Sequence, residues 1–179
     1  GSKYIQSSIE KEYSEIILCA QSGKRVLFCG TPCQVASLNN FIKNQKEETK
    51  SNILTCDVAC HGVCSTKVFD KYISYLEKMY GGPAEQVNFR SKKTGWSNYS
   101  IEVKFKNKQV YSSPNSKDLF MKGFLNDIFL RESCYNCRFS KIPRKGDITL
   151  GDLWGAPPEL VKDDNGYSIL LINNPKGES

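Results

Sequence analysis

No stretch of this chain stays apolar for long. Even the longest runs, such as residues 16–20 and 169–172, fall far short of the ~18 residues a membrane span needs, so no segment is expected to cross a bilayer. A strong excess of one charge is also missing. The 25 Lys+Arg stand against 19 Asp+Glu for a net charge of +6, and the basic residues are scattered (Lys43, Lys46, Lys50; Lys104, Lys106, Lys108; Lys141, Arg144, Lys145). Aromatic residues do not interleave with a single basic stripe, so these read as solvated loops and faces, and nucleic acid is not the expected partner. Low-complexity tracts are absent. So is a charged-then-apolar leader: the chain begins Gly1-Ser2 without Met, which reads as a cloning remnant ahead of an excised piece. What is present argues for a folded chain. It has 179 residues, 39% hydrophobic and 11% aromatic with only 25% charged, which excludes overall disorder and suits one globular domain or slightly more.

The informative excess is cysteine: Cys19, Cys29, Cys33, Cys56, Cys60, Cys64, Cys134 and Cys137. An even count is compatible with disulfides, but a chain of this length does not need staples in the way a small secreted domain does. Clustered cysteines then favour metal or redox chemistry. Cys19, inside a helical pattern, reads as a buried small hydrophobe.

Ile9, Tyr13, Ile16, Ile17 and Ala20 recur at helical spacing after Ser7-Ser8, with Gly23 as the stop. Residues 26–29 are a short apolar run of the kind a doubly covered parallel strand shows. Thr31 as N-cap and Pro32 at the first helical position then lead into Val35, Leu38, Phe41 and Ile42. The pattern repeats with a strand over 53–58, a loop over 60–64, and Ser65 capping a helix that buries Phe69, Tyr72, Ile73, Leu76 and Met79 and ends at Gly81-Gly82-Pro83. Val87 to Arg90, then Tyr99, Ile101, Val103 and Phe105 alternating with Ser100, Glu102, Lys104 and Lys106, predict antiparallel strands turning at Asn107-Lys108 with one polar face. A helix over 116–131 burying Leu119, Phe120, Phe124 and Ile128 delivers the chain to a loop holding Cys134-Tyr135-Asn136-Cys137. Residues 148–150 and 168–172 are further strands. The expected fold class is α/β: a parallel-rich sheet from two strand-loop-helix units plus an antiparallel hairpin, with helices covering the sheet.

Both units put a cysteine just past the carboxyl end of a strand, Cys33 in one and Cys60 in the other, at the edge where open α/β sheets bind ligands. Cys33 falls in the first turn of a helix, where N–H groups and the dipole favour an anionic sulfur. With Cys134 and Cys137, four cysteines from three loops suit a metal site. Spacing leaves tetrahedral zinc and a 4Fe-4S cluster both open, since each accepts four thiolates. The expectation is that all four sulfurs surround one space. The single histidine, His61, reads equally as a hydrogen-bonded loop residue or as a contact to that site, and Trp96 and Trp154 as packing residues.

Five motifs follow one another in a specific order: Val26-Leu27-Phe28-Cys29-Gly30-Thr31-Pro32-Cys33-Gln34; Cys60-His61-Gly62-Val63; Asn88-Phe89-Arg90 with Gly95-Trp96; Ser133-Cys134-Tyr135-Asn136-Cys137; and Asp147-Ile148-Thr149-Leu150-Gly151-Asp152-Leu153-Trp154-Gly155. In these the chain resembles, from Tyr4 to Gly177, the carboxy-terminal domain of the beta-subunit family of coenzyme F-420 hydrogenases and dehydrogenases. The resemblance implies an oxidoreductase of that type, an iron-sulfur flavoprotein moving electrons between a 4Fe-4S cluster, FAD and an external donor or acceptor. It implies Cys33, Cys60, Cys134 and Cys137 as cluster ligands, and flavin contacts at Thr31, Pro32, Gln34, His61, Arg90, Gly95, Trp96, Asp152 and Trp154. A helix amino end and Arg90 would suit a pyrophosphate. No catalytic residue is assigned. The implied partners are a redox partner protein or ferredoxin-like module and a small-molecule electron carrier, the deazaflavin coenzyme in archaeal members, in the cytoplasm.

Three positions depart from the family pattern. Cys29 stands where Ser is usual, Cys64 where Pro is usual, and Cys56 where an apolar residue is common, so Cys29 or Cys64 is an alternative ligand to Cys33 or Cys60. The family's ferredoxin-like C-x2-C-x2-C-x3-C-P run is not in this sequence, and the family continues beyond the point where this chain stops. Residues 3–179 are therefore expected to be one redox domain truncated at both ends. The alternative reading is a zinc-stabilised or metal-free interaction domain that keeps the fold without redox activity.

Overall fold

A computed structural model describes residues 4–9, 11–160 and 162–178. The elements run α1 (Glu12–Gln21), β1 (Val26–Gly30), α2 (Pro32–Ile42), α3 (Glu47–Ser51), β2 (Ile53–Val58), α4 (Thr66–Tyr80), β3 (Ala84–Ser91), β4 (Ser100–Phe105), β5 (Val110–Pro114), α5 (Leu119–Leu125), α6 (Glu132–Tyr135), β6 (Ile148–Asp152) and β7 (Ser168–Ile172). They fall into two compact units. One comprises Ser7–His61, Cys137–Leu160 and Tyr167–Ser179; the other comprises Gly1–Gln6, Gly62–Asn136 and Val161–Gly166. The fold is mixed α/β, with a mostly parallel sheet in the first unit and a separate antiparallel sheet in the second. No described helix is long and apolar enough to cross a membrane.

In the first unit the sheet order is β1-β2-β6-β7. Strands β1, β2 and β6 are parallel, and β7 returns antiparallel beside β6. Tyr13, Ile16 and Ala20 form the buried stripe of α1 and meet Val35, Leu38 and Ile42 of α2 over Phe28 and Ile53. Because side chains alternate along a strand, this layer covers one sheet face only. Leu27 (59% exposed), Cys29, Val58, Leu150 and Leu170 remain exposed on the other. The doubly covered strand expected over 26–29 is thus covered on one side, since among the described residues both packed helices sit on the Phe28 face.

In the second unit β3-β4-β5 form an antiparallel meander. Tyr72 and Leu76 of α4 and Phe120, Met121 and Phe124 of α5 pack on Phe89, Ile101, Val103 and Phe105. Gly81, at φ +67°, ends α4 in the left-handed conformation that glycine adopts without steric cost. Met79 is exposed rather than buried; Tyr80 takes the inward position and stacks on Phe105 with ring centroids 4.9 Å apart. The polar face expected on β4 is present: Ile101, Val103 and Phe105 face the core and Lys104 stays exposed on the other side, while Ser100 and Glu102 on that side are buried, with Lys93 Nζ reaching the Glu102 carboxylate at 2.7 Å.

The helix expected over 116–131 is only the seven-residue α5. Asp118 caps it by accepting from Met121 N at 2.8 Å, and the left-handed Asp127 (φ +59°) breaks the path after Asn126. Leu119 and Ile128, expected inside, are exposed. Asp118 is fully buried and also accepts from the hydroxyls of Tyr72 (2.7 Å) and Tyr111 (2.8 Å). Burial first, with the Asp118 carboxylate adding to it, raises both tyrosines, and Tyr111 is pushed up to about 12.

Candidate functional site

The turn between β1 and α2 is built by its own side chains. Gln34 Oε1 accepts from Thr31 N at 2.9 Å and from Thr31 Oγ1 at 3.1 Å, while its Nε2 donates to Ser7 O at 3.3 Å. Tyr13 donates its hydroxyl to Gln34 O at 2.9 Å, so this buried amide is committed to shaping the turn. Pro32 occupies the first helical position and is buried. Cys33, half-buried, places its sulfur 3.1 Å from Thr31 Oγ1.

Strand β2 runs parallel beside β1 with Gly30 opposite Asp57. Cys33 and Cys60 therefore follow matched positions, each three residues beyond this pair, and Cys60 is also half-buried. Asp57 is the electrostatic centre of the unit. It is wholly buried and accepts from Arg144 Nη2 (3.0 Å), Lys145 N (3.2 Å), Gly146 N (3.0 Å) and Thr149 Oγ1 (2.6 Å). Arg144 Nη1 donates to Ser140 O at 3.1 Å, and Ser140 Oγ donates to Cys137 O at 3.1 Å. A continuous hydrogen-bond chain thus runs from the end of β2 to the Cys137 backbone. The scattered basic residues were expected to be solvated, but Arg144 has a side chain only 10% exposed because it neutralises this buried carboxylate.

Asp147 performs a similar service two strand positions earlier. Its Oδ2 accepts from Thr55 N (2.7 Å) and Thr55 Oγ1 (2.8 Å), its Oδ1 from Asn174 Nδ2 (2.9 Å), and Lys176 lies 3.7 Å away. Burial raises its pKa, but the bonds from Asn174 and Thr55 and the Lys176 charge outweigh burial and hold the carboxyl below the usual range. A carboxylate depressed in the folded state stabilises it above the unfolded pKa of about 3.9, and that contribution is lost as pH falls through the folded value. The parent chain should therefore lose urea resistance below about pH 4, and D147N should flatten that part of the profile. Parallel profiles for the two proteins would contradict this role.

In the second unit the Arg90 guanidinium lies over the rings of Trp96 (5.4 Å) and Tyr99 (4.9 Å). Asp164 holds the Gly95-Trp96 turn by accepting from Trp96 N (2.9 Å), Ser97 N (3.0 Å) and Ser97 Oγ (2.7 Å). Gly95 has φ +105°, and a Cβ there would meet Asp164 Oδ2 at 1.9 Å, so the turn requires glycine. Trp96, expected to pack, is half-buried and lies under the Arg90 cation. Cys134 stands in the single turn of α6, not in the loop expected, with its N–H donating to Arg131 O at 2.8 Å. Cys64 is buried in the aromatic core, where its sulfur donates to Tyr4 O at 3.3 Å. Of the remaining candidates, His61 and Asp152 are exposed, and Trp154, expected to pack, is 53% exposed.

Over residues 23–179 the sequence matches the family described as the C terminus of the coenzyme F420 hydrogenase/dehydrogenase beta subunit. The chain belongs to this family. No curated protein matches it. Among solved structures it is similar to a chain of the xenon-derivatised F420-reducing NiFe hydrogenase complex from Methanosarcina barkeri, with a TM-score of 0.53 and 17% identity. That similarity covers 99% of this chain and 54% of the other, so this chain spans about half the length of its structural relative, and the likeness is one of fold.

Membership of the beta-subunit family sets the frame for the cysteines. All eight are thiols. Cys33, Cys60 and Cys137 belong to the first unit and Cys134 to the second. Among the described residues, no three His, Cys, Asp or Glu side chains are grouped as they would be around a metal ion. The donor set nevertheless fits soft-metal chemistry. These four thiols are half-buried at strand or helix ends, whereas Cys56 and Cys64 are buried. The residues that sequence reasoning missed are Asp57, Asp147, Arg144 and Asp164. A charge inside the apolar run 53–58 was the one available signal, because a buried carboxylate demands partners.

Proposed function

We propose that this chain is the carboxy-terminal redox domain of an iron-sulfur flavoprotein, passing electrons between a 4Fe-4S cluster, FAD and an external donor or acceptor. The observation that carries this reading is the family match over residues 23–179 together with the matched positions of Cys33 and Cys60 after adjacent parallel strands. Cys33, Cys60, Cys134 and Cys137 are the proposed cluster ligands. Thr31, Pro32, Gln34, His61, Arg90, Gly95, Trp96, Asp152 and Trp154 are the proposed flavin-contact set. A bound cluster would supply one-electron transfer and the flavin a one- or two-electron exchange. The chain's own residues do the positioning. Gln34 and Thr31 shape the turn that presents Cys33, and the Asp57–Arg144–Ser140 chain holds the backbone of Cys137. Arg90, backed by two rings, offers a cation suited to a phosphate group. The proposed partners are a redox protein or ferredoxin-like module and a deazaflavin-type carrier, in the cytoplasm.

Purification without oxygen tests this directly. The protein should be brown, contain about four irons and four sulfides per chain, carry FAD, and bleach on reduction. Colourless protein with stoichiometric zinc would overturn the assignment in favour of a zinc-stabilised interaction domain.

A further inference from the structure

A second pair of thiols lies outside the proposed ligand set. Cys29 of β1 stands directly opposite Cys56 of β2 in a parallel pair, and the alternation of side chains puts both on the sheet face that α1 and α2 leave open. Neighbouring strands lie about 4.8 Å apart, inside the roughly 4.4–6.8 Å Cα separation that a disulfide spans. The two thiols differ in access. Cys29 is exposed, whereas Cys56 is 1% exposed between its two flanking strands. Burial first, then the adjacent Cys29 sulfur, pushes Cys56 up to about 11, and its sulfur lies 3.7 Å from Asp57 O. Cys56 is therefore a protonated thiol at neutral pH.

We propose that Cys29 and Cys56 form a thiol–disulfide exchange site whose substrate class is the low-molecular-weight disulfide. The exposed Cys29 attacks one sulfur of R–S–S–R; that S–S bond breaks, a Cys29–S–R bond forms, and RS⁻ leaves and takes up a proton. Cys56 then gives up its proton and attacks the Cys29 sulfur. The Cys29–S–R bond breaks, the Cys29–Cys56 bond forms, and the second RS⁻ leaves with that proton. In sum, two protein thiols lose two electrons and two protons, and one small disulfide becomes two thiols. This site is independent of the cluster assignment, since neither cysteine is in the proposed ligand set.

Incubation of the full chain with oxidised glutathione under anaerobic conditions, followed by alkylation, digestion and tandem mass spectrometry, tests the proposal. Fragmentation is needed because Cys29 and Cys33 share one tryptic peptide and Cys56, Cys60 and Cys64 another. The expected product is a Cys29–Cys56 bond. C56S should stop at glutathione on Cys29, and C29S should leave Cys56 unmodified. Unmodified Cys29 in the parent chain, or a bond from Cys29 to Cys33 or Cys60, would overturn the proposal without reference to either variant.

Discussion

Replacing Asp57 with Ala should lower stability by about 3–5 kcal/mol, the cost of removing one partner of a buried charge pair. For a chain of this size that corresponds to a fall in thermal midpoint on the order of 10 °C. The asymmetry with Arg144 sharpens the expectation. Without Asp57, the largely buried guanidinium of Arg144 loses its counter-charge, and the N–H groups of Lys145 and Gly146 and the Thr149 hydroxyl lose their acceptor together. Without Arg144, Asp57 loses its counter-charge but keeps those three donors, so R144A should cost less than D57A, at the lower end of that range, about 3 kcal/mol. Arg144 Nε is already buried without a partner among the described residues, which further limits what its removal forfeits. Thermal unfolding followed by circular dichroism checks both values. An Asp57→Ala midpoint equal to or above that of R144A would show that the carboxylate is not the hub.

The parts of this fold set by local chemistry were legible in the sequence. Thr31-Pro32 and Ser65 mark helix starts, Gly81 a helix end, and the run 53–58 a parallel strand, because each rests on neighbouring residues. The failures share a cause. The helix expected over 116–131 satisfied the 3.6-residue period, but Asp118 is tied to Tyr72, 46 residues away, and the left-handed Asp127 breaks the path. The Asp57–Arg144 bond spans 87 positions, so no local pattern could pair them. The matched placement of Cys33 and Cys60 was readable because both follow strands whose parallel register one crossover fixes. Cys64 looked as available as Cys60 in the string Cys60-His61-Gly62-Val63-Cys64, yet it joins the aromatic core through a hydrogen bond to Tyr4.

That difference in burial leads to the second large effect. Cluster ligation needs accessible thiolates, and Cys33, Cys60, Cys134 and Cys137 are all half-buried, whereas Cys56 and Cys64 are buried; the exposed Cys29 is set apart by its place within β1 and not by burial. Cys19 is half-buried on α1, a helix whose buried stripe is Tyr13, Ile16 and Ala20. Removing one of four thiolates from a cubane leaves an iron without its protein ligand, so the loss should be close to complete rather than a quarter. The deciding measurement is iron per chain across eight single Cys→Ala variants, each purified without oxygen and checked for folding by circular dichroism. Iron should fall from about four to under about one per chain in the Cys33, Cys60, Cys134 and Cys137 variants. It should stay at the parent value in the Cys19, Cys29, Cys56 and Cys64 variants. Full iron in the folded Cys33 or Cys60 variant, with iron lost from the folded Cys29 or Cys64 variant instead, would contradict the ligand assignment.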